Sequence, residues 1–149
     1  MLELIDRNLK MINIERARNF IQKHQDQVID LFITYQMIEM MFFLKLHLPG
    51  ISEIEDREDY LEGVSKQINS KTFGKLKKVY LEKYPNDKYQ LIFDMEVVAI
   101  QRNSFMHSFC MILVLWENQE EMNTWGKFLL DDFTKQAHNL LEKVYELPN

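Results

Sequence analysis

The run Arg102-Asn103-Ser104-Phe105-Met106-His107 holds the residue types that phosphate-ester chemistry uses. A guanidinium presents a rigid fork of donors to phosphate oxygens and keeps its charge when partly desolvated. An imidazole gives or takes a proton near neutral pH, as general acid–base work on a hydroxyl requires. Asn103 and His107 lie four residues apart and share a helical face with Ala99 and Cys110. Arg102 lies elsewhere, because five residues of regular helix separate it from His107 by about 140°. The two converge only if the helix breaks near Asn103 or Ser104, both competent N-caps, or if a second subunit supplies the missing group. A plainer reading competes with this one. In it Arg102 pairs with a carboxylate such as Asp94 or Glu96 from a neighbouring helix or molecule, or with carbonyls at a helix end, and His107 is an ordinary helix-face histidine.

The segment that must position these groups reads as helix. Leu91, Met95, Val98, Arg102, Phe105, Phe109, Ile112 and Trp116 follow at intervals of 4, 3, 4, 3, 4, 3 and 4. The helical period therefore runs straight through Arg102 and sets a charge where an apolar side chain is expected. Upstream, Ile14, Ala17, Ile21, Val28, Leu31, Tyr35, Ile38 and Phe42 recur at helical steps with His24 in the one gap, which predicts a single helix from about Asn13 to Leu46. Its second half adds Ile29, Phe32, Met37, Met40, Met41, Phe43 and Leu44, so it needs cover on more than one side. Pro49-Gly50 turns the chain, and Ser52 with Glu55 forms a capping box for a helix through Tyr60, Leu61, Val64 and Ile68. Thr72 followed by Phe73, Leu76, Val79 and Tyr80 predicts a short amphipathic helix closed by Pro85-Asn86-Asp87. The polar run Glu117 to Glu121 reads as a connection, with Asn123 or Thr124 capping a last helix that carries Phe128, Leu129, Phe133, Ala137, Leu140, Leu141 and Val144. The expected fold is all-α, an up-and-down bundle of about five helices forming one domain over residues 1–149.

Composition narrows the function classes. With 4 Gly and 3 Pro the chain has too few turn residues for an all-β fold or a low-complexity linker. Its single cysteine, Cys110, is expected to be buried in the helix among Phe109, Met111 and Ile112. It offers no internal disulfide, which fits a reducing, cytoplasmic location. Glu3, Asp6 and Arg7 interrupt the first apolar residues, so no secretory leader is expected there. The nearly uncharged stretch Asn103 to Trp116 is shorter than the roughly 20 residues a bilayer requires, and membrane insertion is not expected. The net charge of −5 gives no global attraction to nucleic acid, but it is unevenly spread. An acidic cluster of Glu53, Glu55, Asp56, Glu58 and Asp59 precedes a basic segment that includes Lys66, Lys71, Lys75, Lys77, Lys78 and Lys83. These are solvated faces unless a polyanion docks on the lysines, of which Lys71, Lys75, Lys77 and Lys78 are the candidate RNA contacts. No phosphate-binding glycine loop, dinucleotide fingerprint, calcium loop or zincin motif is present, and His24, His47, His107 and His138 lack metal-ligand spacing. Neither a metal nor a cofactor is expected.

An arginine followed by a polar residue, three further residues and a histidine, in the second half of a small helical chain, resembles the HEPN superfamily. Its members include toxins of toxin–antitoxin and phage-defence systems. The likeness rests on Arg102, Asn103 and His107, with support from the long helix before Pro49 and from Thr72-Phe73-Gly74-Lys75-Leu76, and it extends over nearly the whole chain. The resemblance implies a metal-independent endoribonuclease acting as a homodimer, with the two Arg–polar–His sets meeting at the interface and an antitoxin holding the activity in check. It implies that His107 exchanges a proton as the ribose 2′-hydroxyl attacks the adjacent phosphate, that Arg102 stabilises phosphoryl charge, and that Asn103 positions phosphate or histidine. The products would carry 2′,3′-cyclic phosphate and 5′-hydroxyl ends. Two further readings stand beside it: a non-catalytic binding or scaffolding module on the same bundle, and a regulatory partner that binds phosphate through Lys75, Lys77 and Lys78.

Overall fold

Six helices run through the described residues, and no strand occurs among them. A computed structural model of the chain describes residues 2–47, 73–116 and 118–148, with side chains over 11–46, 74–116 and 118–148. The helices are α1 (Leu2–Lys23), α2 (Gln25–His47), α3 (Phe73–Lys83), α4 (Ile92–His107), α5 (Phe109–Val114) and α6 (Gln119–Tyr145). The all-helical expectation holds. The helix predicted over Ser52 to Ile68, the Pro49-Gly50 turn, the acidic cluster, Lys66 and Lys71 lie outside the described residues.

Polar contacts between helices fix their directions. Gln27 Nε2 donates to Asp131 Oδ1 at 2.8 Å, His138 Nε2 meets Asp30 Oδ2 at 2.8 Å, and Lys45 Nζ donates to the Leu147 carbonyl at 2.8 Å. Residue numbers rise together along this seam, so α2 and α6 run parallel. Gln101 Nε2 donates to Asp132 Oδ2 at 2.8 Å, and Lys143 pairs with Asp94, so α4 runs antiparallel to α6. Asn13 Nδ2 donates to the Val114 carbonyl, and the Phe20 and Phe109 rings meet edge-on at 6.3 Å, which lays α5 back along α1. Met122, Gly126, Leu130, Phe133, Ala137, Leu140 and Val144 form the buried stripe of α6, one residue every three or four, around which the other helices gather.

The predicted long helices are both broken. The single helix expected from Asn13 to Leu46 is two, α1 and α2, separated by His24, whose ring packs on Phe20 with centroids 4.6 Å apart. The apolar phase nevertheless continues across the break, from Ala17 and Phe20 to Leu31, Tyr35 and Ile38, all buried. The run from Leu91 to Trp116 is likewise divided at Ser108 into α4 and α5, with Leu91, Met95, Val98, Phe109 and Leu113 buried. Cys110 is exposed, against the expectation of burial, because its position on α5 faces away from the stripe through Phe109 and Leu113. Phe128 is also exposed, at 63 %. The last helix starts earlier than predicted. Asn118, not Asn123 or Thr124, is its cap, its side chain accepting from the Glu121 N–H at 2.8 Å, and the acidic Glu120 and Glu121 suit the first turn.

The turn between α3 and α4 is held by one carboxylate. Asp87 Oδ1 accepts from Tyr80 Oη and from the Leu91 N–H, each at 2.8 Å, while Oδ2 takes the Ile92 N–H. Asp87 and Gln90 both adopt positive φ, 49° and 54°, so Asp87 bends the chain and caps α4 at a distance. Burial and this bond push the Tyr80 phenol up to about 12.

Gly126 marks where α6 passes closest to α1 and α5. A Cβ there would stand 2.8 Å from Leu113 Cδ2 and 2.9 Å from Phe20 Cζ, and both side chains are fully packed. Gly126→Val is expected to destabilise the fold by roughly 2–3 kcal/mol through overpacking, measured as a lower urea midpoint. A midpoint equal to that of the original chain would show that this crossing is loose.

Candidate functional site

Arg102 occupies the apolar phase of α4, as the sequence pattern requires, and finds its counter-charge inside the fold. Its Nε lies 2.9 Å from Glu39 Oε1 of α2, with the two side chains 29 % and 17 % exposed. The contact is electrostatic and poorly aligned: Glu39 Oε1 accepts no well-directed hydrogen bond among the described residues. Burial raises the Glu39 carboxyl above its ordinary range, and the Arg102 charge pulls it partly back. Burial also raises the Tyr35 phenol, one turn earlier on α2, with the nearby Arg102 opposing and Asp132 reinforcing. Tyr35, Glu39, Gln101, Arg102 and Asp132 thus gather polar groups from α2, α4 and α6 against the core. Within the group Tyr35 Oη and Gln101 Oε1 find no protein hydrogen-bond partner among the described residues.

Neither of the carboxylates suggested by the sequence serves Arg102. Asp94 is paired with Lys143 of α6 and Glu96 with Lys77 of α3. Glu39 had its own signal, as the lone carboxylate between Leu31 and Leu46 in an otherwise apolar stretch. A charge in such a place calls for a partner.

Asn103 and His107 are both exposed, on the outer face of α4. The helix break falls at Ser108, one residue past His107, and not near Asn103 or Ser104. Arg102 and His107 therefore remain on one continuous helix, about 140° apart in direction. Within one chain the three candidates are not brought together: Arg102 turns from the apolar phase toward Glu39 of α2, while Asn103 and His107, four residues apart, share the exposed outer face. Large apolar side chains border this face. Ile100 is 68 % exposed, and Phe93, Met106, Met111, Trp125 and Phe128 are exposed as well. The Trp125 and Phe128 rings meet edge-on at 6.2 Å, and the Gln101–Asp132 bond places this part of α6 beside the C-terminal half of α4.

Of the candidate RNA-contacting lysines, Lys75 and Lys78 are exposed on α3, Lys77 is tied to Glu96, and Lys71 lies outside the described residues. Glu96 shares the outer face of α4 with Asn103 and His107, which stations Lys77 on that face about 16 Å along the axis from His107, at 1.5 Å per residue. No group of His, Cys, Asp and Glu among the described residues has the arrangement to hold a metal ion. Helix α2 is long and apolar enough over Gln25–Leu46 to cross a membrane by length and composition, and a third of that span is buried inside the fold. No family model matches the chain, and no curated protein or solved structure matches it either.

Because the folded Glu39 carboxyl is raised, its contribution to stability is full below the unfolded value and is lost as pH rises through the folded one. Arg102 limits that loss, and removing it raises Glu39 further. Arg102→Ala is expected to cost about 1–3 kcal/mol near pH 7, discounted from a fully buried pair for partial exposure. The cost should be clearly smaller near pH 5, where the carboxyl is free to protonate. Denaturant midpoints at the two pH values check this. Equal costs would mean that Glu39 carries no desolvated charge.

Proposed function

We propose that this chain is a metal-independent endoribonuclease whose site is completed by a second copy packed against the outer face of α4. Asn103 and His107 stand exposed on that face, bordered by apolar side chains large enough to drive association. The Arg102 side chain is 29 % exposed beside Glu39, and in this reading a partner's phosphate or histidine meets its outer guanidinium nitrogens while Glu39 holds the inner Nε. The single observation that carries the reading is the opposed placement of Arg102 and His107 on one unbroken helix, which makes a site shared between copies the economical way to unite them. In such a site His107 takes the proton of the ribose 2′-hydroxyl as it attacks the adjacent phosphate. Arg102 of the other copy stabilises the charge on the phosphoryl oxygens, and Asn103 orients the phosphate. The bond to the 5′-oxygen then breaks as the His107 imidazolium gives the proton to that oxygen, leaving 2′,3′-cyclic phosphate and 5′-hydroxyl ends. The 2′-hydroxyl requirement restricts the attack to RNA. Lys77, paired with Glu96 on the same face, adds a positive charge for the RNA backbone. The reading places the protein in the cytoplasm as a toxin or phage-defence component of HEPN type, restrained by an antitoxin.

A second reading is favoured by the capture of Arg102 by Glu39: the α4 face associates with a copy of itself or a protein partner and performs no chemistry. Mixing variants separates the two. RNA incubated with the protein in excess EDTA is expected to yield cyclic-phosphate ends, and Arg102→Ala and His107→Ala are each expected to lower the yield by about 100-fold or more. When the two variants are mixed and allowed to exchange subunits, about a quarter of the activity should return. Half the dimers are then mixed, and each of those holds one intact shared site. Dimers with no cleavage by the original chain support the non-catalytic module, and cleavage that survives both substitutions removes the enzymatic reading.

A further inference from the structure

The seam between α2 and α6 opens, near their C-terminal ends, into a groove of about 310 Å³ lined by Met37, Met41, Leu141, Glu142, Tyr145 and Glu146. Its floor is apolar and adaptable, because methionine fills irregular shapes at little cost. Ile33 and Met40, both exposed, continue the apolar surface along α2. Its other rim is acidic: Glu142 in the last turn of α6 and Glu146, which caps that helix, are exposed. Of the polar groups close by, two have contacts of their own. Lys45 donates to the Leu147 carbonyl at 2.8 Å and lies over the Tyr145 ring, and His138 is paired with Asp30.

We infer that this groove receives an amphipathic helix of a protein partner whose apolar face carries a row of lysines or arginines along one edge. The apolar residues of such a helix enter between Met37, Met41 and Leu141, and its basic edge runs along Glu142 and Glu146. The charge pattern decides among occupants. In a second copy related by a two-fold axis, the acidic rim would meet its own copy or the apolar floor, and either is unfavourable. An anionic lipid surface is repelled by the same carboxylates. The inference does not depend on RNA cleavage, since the groove lies on the α2–α6 seam and the outer face of α4 is not part of it.

The test uses the full chain with methionine methyl groups labelled with carbon-13, followed by NMR. The probe is a synthetic helical peptide with leucines at i, i+3, i+4 and i+7 and lysines along one flank. It is expected to shift Met37 and Met41 and to leave the exposed Met11 and Met111 in place. The paired substitutions Glu142→Lys and Glu146→Lys, which suit a helix C-terminus and so preserve the fold, should weaken binding about tenfold or more, some 1.4 kcal/mol. A peptide with glutamates replacing the lysines should bind no better than that. The inference is overturned if the acidic peptide binds equally well or if the lysine peptide leaves Met37 and Met41 unshifted. It is also overturned if these two methyls shift on dilution of the protein alone or on adding phosphatidylserine vesicles.

Discussion

A guanidinium set on the apolar phase of a core helix must find an opposite charge within the fold, and the pairing of Arg102 with Glu39 is the constraint on which the site depends. Partly buried pairs of this kind contribute little net stability, because desolvation offsets most of the attraction. What the pair does is specify rotation. With Arg102 turned to α2, the helical phase sends Gln101 to Asp132 on α6 and leaves Asn103 and His107 outside. Turning α4 to bring His107 inward would strand both the Arg102 charge and the Gln101 amide, and would pull Met95 and Val98 off the core.

The two helix breaks belong together. His24 divides α1 from α2 and Ser108 divides α4 from α5, and these antiparallel rods bend at the same level, where Phe20 meets Phe109. Phe109 in turn contacts Phe105 and Phe133, with centroids 5.7 and 6.2 Å apart. Helix α6 passes the bend without a break of its own, and Gly126 gives the room for Phe20 and Leu113 to close on it. An aromatic cluster thus serves as the corner of the bundle. Its position just past His107 explains why the break does nothing to swing that histidine toward Arg102.

Much of this was legible in the residues. The 3-and-4 spacing from Leu91 to Phe109 identifies the buried stripe of α4 and singles out Arg102 as the charge within it, whereas in α5 Leu113, not the expected Ile112, is buried. Periodicity reports phase, though, and phase survives a break of one residue; the gap at His24 is therefore compatible with an unbroken helix, and Ser108 leaves no mark until Leu113 takes the buried place expected of Ile112. The cap of α6 was misplaced because Asn118 lies in a polar run that also reads as a connection, and only the bond to the Glu121 N–H distinguishes the two. Glu39 was legible as a lone carboxylate in an apolar stretch, but its pairing depends on how α2 lies against α4, which no local pattern encodes. The apolar neighbours of Cys110 suggest burial, but its place on α5 faces away from Phe109 and Leu113 and leaves it exposed.

The distribution of exposed apolar surface carries the last step. A chain of this size that buries so continuous a core and still leaves Ile33, Met37, Ile100, Met111, Trp125 and Phe128 in contact with solvent has surface to spare for other molecules. That surface falls into two regions. One surrounds Asn103 and His107 on the outer face of α4, which also carries the Glu96–Lys77 pair, and extends to Trp125 and Phe128 of α6. The other follows the α2–α6 seam and carries carboxylates along one rim, which suits contact with a surface of opposite charge. The two regions lie at different levels of α6, one beside Trp125 and Phe128 and the other between Leu141 and Glu146. A partner bound at the seam would be coupled to the α4 face only through α6 and the Gln101–Asp132 and Lys143–Asp94 contacts that join it to α4.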